Sequence, residues 1–195
     1  MEERYYNHSR DEMLKFIPAT AKHVLDVGCA TGKFGAEIKK NNKCIVWGLE
    51  PNTSAATIAK DRLDKVINSV FDSRTDFEGQ KFDCIIFNDV LEHLVDPYTA
   101  IEICKKHLSP NGTIVSSIPN VYYYWNFLKN LINEEWKYEE SGIFDKTHLR
   151  FFSSKSIQRM FAESGGKIIV HQGINAYYSR KFKLLYWLLL FKIDN

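Results

Sequence analysis

The chain has 195 residues, 45% apolar and 26% charged, which are globular values that exclude a disordered chain or a collagen-like repeat. Its formal net charge is +2 and its pI about 8.2, short of the basic surplus of a dedicated nucleic-acid binder. The length suits a single domain over 1–195, with room for a small lid.

Cys29, Cys44, Cys84 and Cys104 form no CxxC pair and read as reduced thiols, not a disulfide frame or zinc site. The first residues, MEERYYNHSRDEM, are polar and show no secretory signal. The longest apolar run, 184–191, falls far short of the ~20 residues of a membrane span. The expectation is a cytoplasmic protein.

Residues 1–22 read as an N-terminal helical segment. A short apolar run at 23–29 predicts the first strand, ending in a glycine turn, and 31–41 a helix. A second strand is expected over 44–50. The helix of 53–63 follows, with Ala55, Ile58, Ala59 and Leu63 on its inner face. Strands are expected at 65–68 and 82–89. The helix of 96–108 has a clear start, because Asp96 can cap it and Pro97 suits the first helical position. Asn111-Gly112 reads as a turn before a fifth strand at 113–118. A helix at 153–164 buries Ile157, Met160 and Phe161 and stops at Gly165. A sixth strand is expected at 167–175. The fold class is therefore α/β, a doubly wound and mostly parallel sheet with helices on both faces.

Two segments break the alternation. Residues 120–150 form an aromatic-rich helical insert on the acceptor side, with Tyr122, Tyr123, Tyr124, Trp125, Phe127, Trp136, Tyr138 and Phe144. Residues 176–195 form a basic and apolar tail. Packing or homodimerisation ranks above membrane contact through 180–192 for that tail.

In such a sheet, ligands bind beyond the C-terminal ends of the strands, where strand order reverses. The first strand ends Asp26-Val27-Gly28-Cys29-Ala30-Thr31-Gly32, and the second ends in Glu50, 22 residues after Gly28. Glycines let the backbone approach a ligand, and an acid at that place accepts ribose hydroxyls. Together they indicate an adenosine-containing cofactor. The glycine spacing departs from the G-x-G-x-x-G of dinucleotide binders, which disfavours an NAD-linked oxidoreductase.

VLDVGCATG resembles the first motif of class I S-adenosylmethionine-dependent methyltransferases. FDCIIFNDVLEHLVDP and LSPNGTIVSSIPN resemble their fourth- and fifth-strand motifs, and the likeness runs over about 5–175. It implies a Rossmann-like methyltransferase fold with S-adenosylmethionine as cofactor and a seventh, antiparallel strand. It places Asp26, Gly28, Ala30 and Gly32 at the methionine end of the cofactor, Glu50 on the ribose, Asp72 on the adenine amino group and Asn88 beside the methionine. Arg10 would pair with the methionine carboxylate, or else be an exposed helix arginine. Ala30 stands where the family more often has glycine, and a methyl group fits there if φ is negative.

A second constellation is Asp89, Glu92 and His93, which helical spacing would put on one face, with His148 joining from the insert. Carboxylates and imidazoles suit a divalent cation. The pattern resembles the E-x-x-E-H of small-RNA 3′-terminal 2′-O-methyltransferases and is similar to metal-assisted ubiquinone-type O-methyltransferases, with Asp89 in place of the first glutamate. The preferred reading has no metal, with His148 or His93 as general base, Asp145 orienting His148 and Arg150 facing an anionic acceptor or a surface partner.

The function expected from this resemblance is O-methylation of a sugar or small-molecule hydroxyl. The alternatives are a metal-dependent RNA 2′-O-methyltransferase and a non-catalytic S-adenosylmethionine-binding module.

Overall fold

A computed structural model of the chain describes residues 10–174, without the side chains of 124–127 and 129. The tail, its 180–192 segment and the seventh strand expected near it lie outside the described residues.

Five strands form one parallel sheet: β1 (His23–Val27), β2 (Ile45–Leu49), β3 (Lys65–Ile67), β4 (Phe82–Asn88) and β5 (Leu108–Ser117). Their order is β3-β2-β1-β4-β5, so the direction of winding reverses between β1 and β4. Val27 pairs with Leu49 on one side and Phe87 on the other. The C-terminal ends of β1, β2 and β4 are thereby level, which sets up one crevice across three strands.

The helices are α1 (Lys33–Asn41), α2 (Thr53–Ala59), α3 (Pro97–His107), α4 (Tyr124–Asn133) and α5 (Ser154–Glu163), with 3-10 turns at Asp11–Phe16 and Leu91–His93. The period-2 alternation of the strands divides the core in two. Leu25, Val27, Ile85 and Phe87 face α3 and α5, packing on Ile101, Cys104 and Met160. Val24, Val46, Cys84 and Ile86 face the opposite side, with Phe34 and Ile38 of α1 and Met13 of the first 3-10 turn. Strands buried on both faces explain why β1 and β4 read as unbroken apolar runs.

The cap signals hold. Asp96 accepts from the Tyr98 and Thr99 amides at 3.0 and 3.1 Å, with Pro97 opening α3. Ser153 and Ser156 form a capping box on α5, and Gly165 follows it at φ 73°.

Other expectations change. α1 starts at Lys33 because Gly32, at φ 75°, is its N-cap. α2 ends at Ala59, so Ile58 turns outward, 45% exposed, and Ala56 is buried in its place. The Asn111-Gly112 turn lies inside β5. Register jumps from Phe82↔Leu108 to Cys84↔Thr113, and Asn111 sits at φ 63°, so the extra residues form a bulge. The sixth strand expected at 167–175 is not formed over 167–174. A strand exists through its ladder, and no described strand lies beside this segment; Ile169 is 77% exposed.

Gly48 is fixed by space. A Cβ there would lie 2.6 Å from both Cys29 Sγ and Leu63 Cδ1. Gly48→Ala should lower stability by about 1–3 kcal/mol, read as an earlier urea midpoint. An unchanged midpoint would mean that β2 and the loop after β1 are not packed as described.

Candidate functional site

The loop after β1 alternates into the left-handed region: Gly28 at φ 71°, Ala30 at 49°, Gly32 at 75°. Its amides are stitched to the end of β2. Gly28 and Cys29 donate to Leu49 O at 2.8 and 3.1 Å, and Ala30 N donates to Glu50 Oε2 at 2.9 Å. The condition set for a methyl group at Ala30, a negative φ, is not met. The amides of Gly28, Cys29 and Ala30 are all drawn to the end of β2 and the residue after it, and Ala30 turns left-handed there.

Glu50 is buried, and its Oε1 accepts from Asn52 N at 2.9 Å. A carboxylate offers about four acceptor positions, and these two amides use two. Asn52 also caps α2 through Ala55 N, and Asn68 Nδ2 donates to Glu50 O at 2.7 Å. Neither asparagine stands out in the sequence, since cap and loop asparagines are common.

Asp26 is buried on β1. Burial first, and then the charge of Glu50, push its carboxyl from the ordinary 3.8 up to about 7. Its Oδ2 and Asn88 Oδ1, at the end of adjacent β4, are buried without a hydrogen-bond partner among the described residues. Two orphaned acceptors beside a loop of backbone amides are what the ammonium of an amino-acid moiety would satisfy. Asp26, Asn88, Gly28, Ala30, Gly32 and Glu50 are thus brought together.

Arg74 holds the Asp72 carboxylate at 2.7 Å, keeping it below the usual range, and Asp72 lines a groove with Leu94, Asp96, Thr99 and Ile103 against α3. Arg10 is neither an exposed helix arginine nor an open anion site. Its Nη1 lies 2.7 Å from Asp89 Oδ2, and its Nη2 donates to Ser117 Oγ at 2.7 Å. Ser117 Oγ donates in turn to Asp89 Oδ1 at 2.9 Å, closing a clasp over the ends of β4 and β5.

That clasp corrects the second constellation. Asp89 sits at φ 53°, outside any helix, and turns to Arg10. Glu92 and His93 occupy a 3-10 turn of three residues, too short for the expected face. His148 does join them. Leu149 N and Arg150 N donate to Glu92 O at 2.9 and 3.1 Å, docking the returning insert on the turn. The His93 and His148 rings stand 4.7 Å apart, and His148 Nε2 is 4.0 Å from Glu92 Oε1.

Glu92 is 1% exposed, and neither carboxylate oxygen has a hydrogen-bond partner among the described residues. Burial, with Asp89 next, pushes its carboxyl from 4.5 up to about 8. Donor atoms of Glu92, His93 and His148 lie within 4.8 Å of one another, so these three could hold a metal ion.

Asp145 does not orient His148. It accepts from Thr147 N and Oγ1 at 2.8 and 2.6 Å; burial opposes its ionisation, yet these bonds leave its carboxyl below the usual range. The orienting group is the Ile143 carbonyl, 2.9 Å from His148 Nδ1, which no side-chain pattern could reveal. His93 Nδ1 lies 3.2 Å from both Thr147 O and Thr147 Oγ1. Burial, with His148 next, lowers the His93 pKa. Arg150 donates to Val95 O and is a local tie. Nearby, Trp136, Phe144 and Phe151 form a ring cluster with centroids 4.6–5.9 Å apart, and Trp136 is 47% exposed.

The two clusters are neighbours. A Cβ on Gly28 would lie 2.6 Å from Val90 Cγ2, so the residue before the Leu91–His93 turn packs on the β1 loop.

Comparison with known proteins agrees with this geometry. A methyltransferase-domain family model matches residues 1–171. The ubiquinone biosynthesis O-methyltransferase of Coxiella burnetii is 27% identical over 155 residues, 77% of this chain and 65% of that protein. That of Pasteurella multocida is 32% identical over 116 residues, 52% of this chain and 48% of its own length. The chain therefore spans less than two thirds of these relatives. Among solved structures, a SAM-dependent methyltransferase of Thermotoga maritima, described as a possible histamine N-methyltransferase, aligns with TM-score 0.61 and 21% identity over 83% of this chain and 70% of that one. The plantazolicin methyltransferase BpumL, solved with SAH, aligns with TM-score 0.64 and 17% identity over 83% and 67%. Both likenesses show the α/β fold.

Two outcomes follow. A left-handed alanine costs roughly 1–2 kcal/mol, and glycine returns part of that through its freer unfolded chain. Ala30→Gly should therefore stabilise by about 0.5–1 kcal/mol, visible as a later urea midpoint; a loss would contradict the positive φ. Asp26 holds its proton more tightly folded than unfolded, so stability falls as pH rises from 3.8 to about 7 and is level above. Asp26→Asn should remove that fall, gaining on the order of 2–4 kcal/mol over the parent at pH 8 relative to pH 4. Parallel stability curves for the two proteins would exclude a raised Asp26.

Proposed function

Because the chain belongs to the methyltransferase-domain family, we propose that it transfers a methyl group from S-adenosylmethionine to a hydroxyl oxygen on a small, ring-bearing acceptor, with a sugar as first candidate. The observation that carries this reading is the Glu92–His93–His148 cluster, set beside the β1 loop by the contact of Val90 with Gly28. The named relatives, O-methyltransferases of ubiquinone biosynthesis, favour oxygen as the acceptor atom.

Bound S-adenosylmethionine supplies an already activated sulfonium methyl, so the chain's task is to bind, align and exclude water. Glu50 has acceptor positions left for ribose hydroxyls, and Asp26 and Asn88 have orphaned oxygens for the methionine ammonium. Asp72 pairs with Arg74, and Arg10 pairs with Asp89.

An acceptor hydroxyl must lose its proton. His148 is buried behind His93, so the half-buried His93 is the better general base. Its lowered pKa keeps the ring neutral and proton-accepting at pH 7. Trp136 offers an aromatic face on which a sugar or a planar ring can lie.

S-adenosylhomocysteine at 100 times its Kd should add about 2.7 kcal/mol, raising the thermal midpoint by roughly 5–10 °C, with no shift from NAD. Glu50→Ala should abolish most of that shift. No response to S-adenosylhomocysteine, or a response to NAD, would refute the cofactor. Binding without turnover on sugar or phenol hydroxyls would point to the non-catalytic module.

A further inference from the structure

We propose that the groove at the C-terminal end of α4 is the acceptor subsite and takes one neutral pyranose ring. This deepens the reading above and rests on it for the existence of an acceptor.

The case begins with Asn130. Its Nδ2 is buried and has no hydrogen-bond partner among the described residues. A buried donor left unpaired lowers stability, so its presence calls for an explanation. The Asn130 carbonyl is already in use: the Glu134 amide donates to it, and so does the Glu135 amide at 3.2 Å. The side-chain amide is spare. It belongs to the wall of a groove of about 320 Å³, lined also by Leu131, Glu134, Glu135 and Trp136. That volume suits a small-molecule site.

The turn out of the helix assembles the rest. Glu134 sits at φ 50°, a left-handed conformation that glycine adopts more readily. The chain reverses there and returns Trp136 to the flank of Asn130. Phe144 and Phe151 stand nearly perpendicular to the Trp136 ring, at 4.6 and 5.6 Å, and hold its plane. Trp136 nevertheless stays half exposed. Glu134 and Glu135 are exposed too, and neither forms an ion pair among the described residues. The same stretch is tied to the histidines. Glu139 N donates to Phe144 O at 2.7 Å, and the carbonyl of the preceding Ile143 faces His148 Nδ1.

The balance of donors and acceptors selects the ligand. One amide donor, two carboxylates and an aromatic face complement a ring whose hydroxyls both accept and donate and whose C–H face is apolar. One hydroxyl oxygen accepts from Asn130 Nδ2, neighbouring hydroxyls donate to Glu134 or Glu135, and the C–H face lies on Trp136. An amine cation would suit the carboxylates and the aromatic face. It would leave Nδ2 orphaned, because an ammonium carries no acceptor. An anionic acceptor would be repelled by the two glutamates. A simple phenol has one hydroxyl to meet three polar groups. No bond is made or broken in this subsite; it binds and aligns the acceptor.

The test uses the full chain with S-adenosylhomocysteine present. The probes are the methyl α-pyranosides of glucose, galactose and mannose, with catechol and benzylamine as comparators, followed by saturation-transfer NMR. At least one glycoside should take up saturation on its ring C–H protons and bind more tightly than either comparator. Asn130→Leu, which keeps the side chain's size, should weaken that glycoside at least about 10-fold. Its urea midpoint should be unchanged or later, since the variant removes an unpaired donor. An earlier midpoint would mark Asn130 as a structural residue and overturn the proposal. Trp136→Leu should weaken the glycoside to a similar degree. The thermal shift with S-adenosylhomocysteine should persist in both variants, showing that the fold and cofactor site are intact. No saturation of any glycoside, equal affinity in Asn130→Leu, or tighter binding of catechol or benzylamine would overturn the subsite and leave the methyltransferase reading standing. A parent that binds the glycoside but shows no S-adenosylhomocysteine shift would uphold the subsite and fail the cofactor reading instead.

Discussion

The carboxylate of Glu50 is the tie on which the crevice depends. It takes one amide from the β1 loop and one from the start of the next connection, so two loops from neighbouring strands share a buried anion. It accepts from the Ala30 amide at the point where the loop turns left-handed. The level ends of β1, β2 and β4 bring the chain to the right place; Glu50 decides the shape it takes there. Charge-assisted bonds to backbone amides are among the stronger hydrogen bonds available, and burial strengthens them further.

That arrangement is costly in isolation. Asp26 sits close enough to Glu50 for the second charge to raise its pKa, and Glu92, two residues beyond Val90, has no hydrogen-bond partner for its carboxylate among the described residues. A core designed for stability alone would carry apolar residues at both positions. Local rules of this kind are broken where a site is needed and satisfied elsewhere in the same chain. The caps and the two-sided core are locally consistent, whereas Asp26, Asn88 and Glu92 keep unsatisfied oxygens close to the winding reversal.

Much of the fold was legible because it rests on short-range signals. Apolar runs marked β1, β2 and β4, and Asp96-Pro97 marked the start of α3. The cofactor crevice was legible for the same reason, since Asp26, Gly28, Gly32 and Glu50 lie at fixed distances along the chain. Features set by distant partners were not. Asp89 left its expected face because Arg10 and Ser117 claim it. Asp72 pairs with Arg74, two residues away, a tie that its motif position did not announce. Asp145 was assigned to the wrong neighbour because the true partner of His148 is a backbone carbonyl, which looks alike in every residue. The strand expected at 167–175 had the right composition, but composition does not supply a neighbour.

The clasp of Arg10 has a consequence in time. Its partners Asp89 and Ser117 stand 79 and 107 positions further along the chain. During synthesis from the N-terminus, the guanidinium stays in water until both β4 and β5 have emerged and paired. Entropy of loop closure also favours the nearer contacts first. Arg10 is therefore fastened to the strand ends late, after the crevice has taken shape. A nascent chain halted before residue 117 would hold the β1 loop without the strap that covers the neighbouring strand ends.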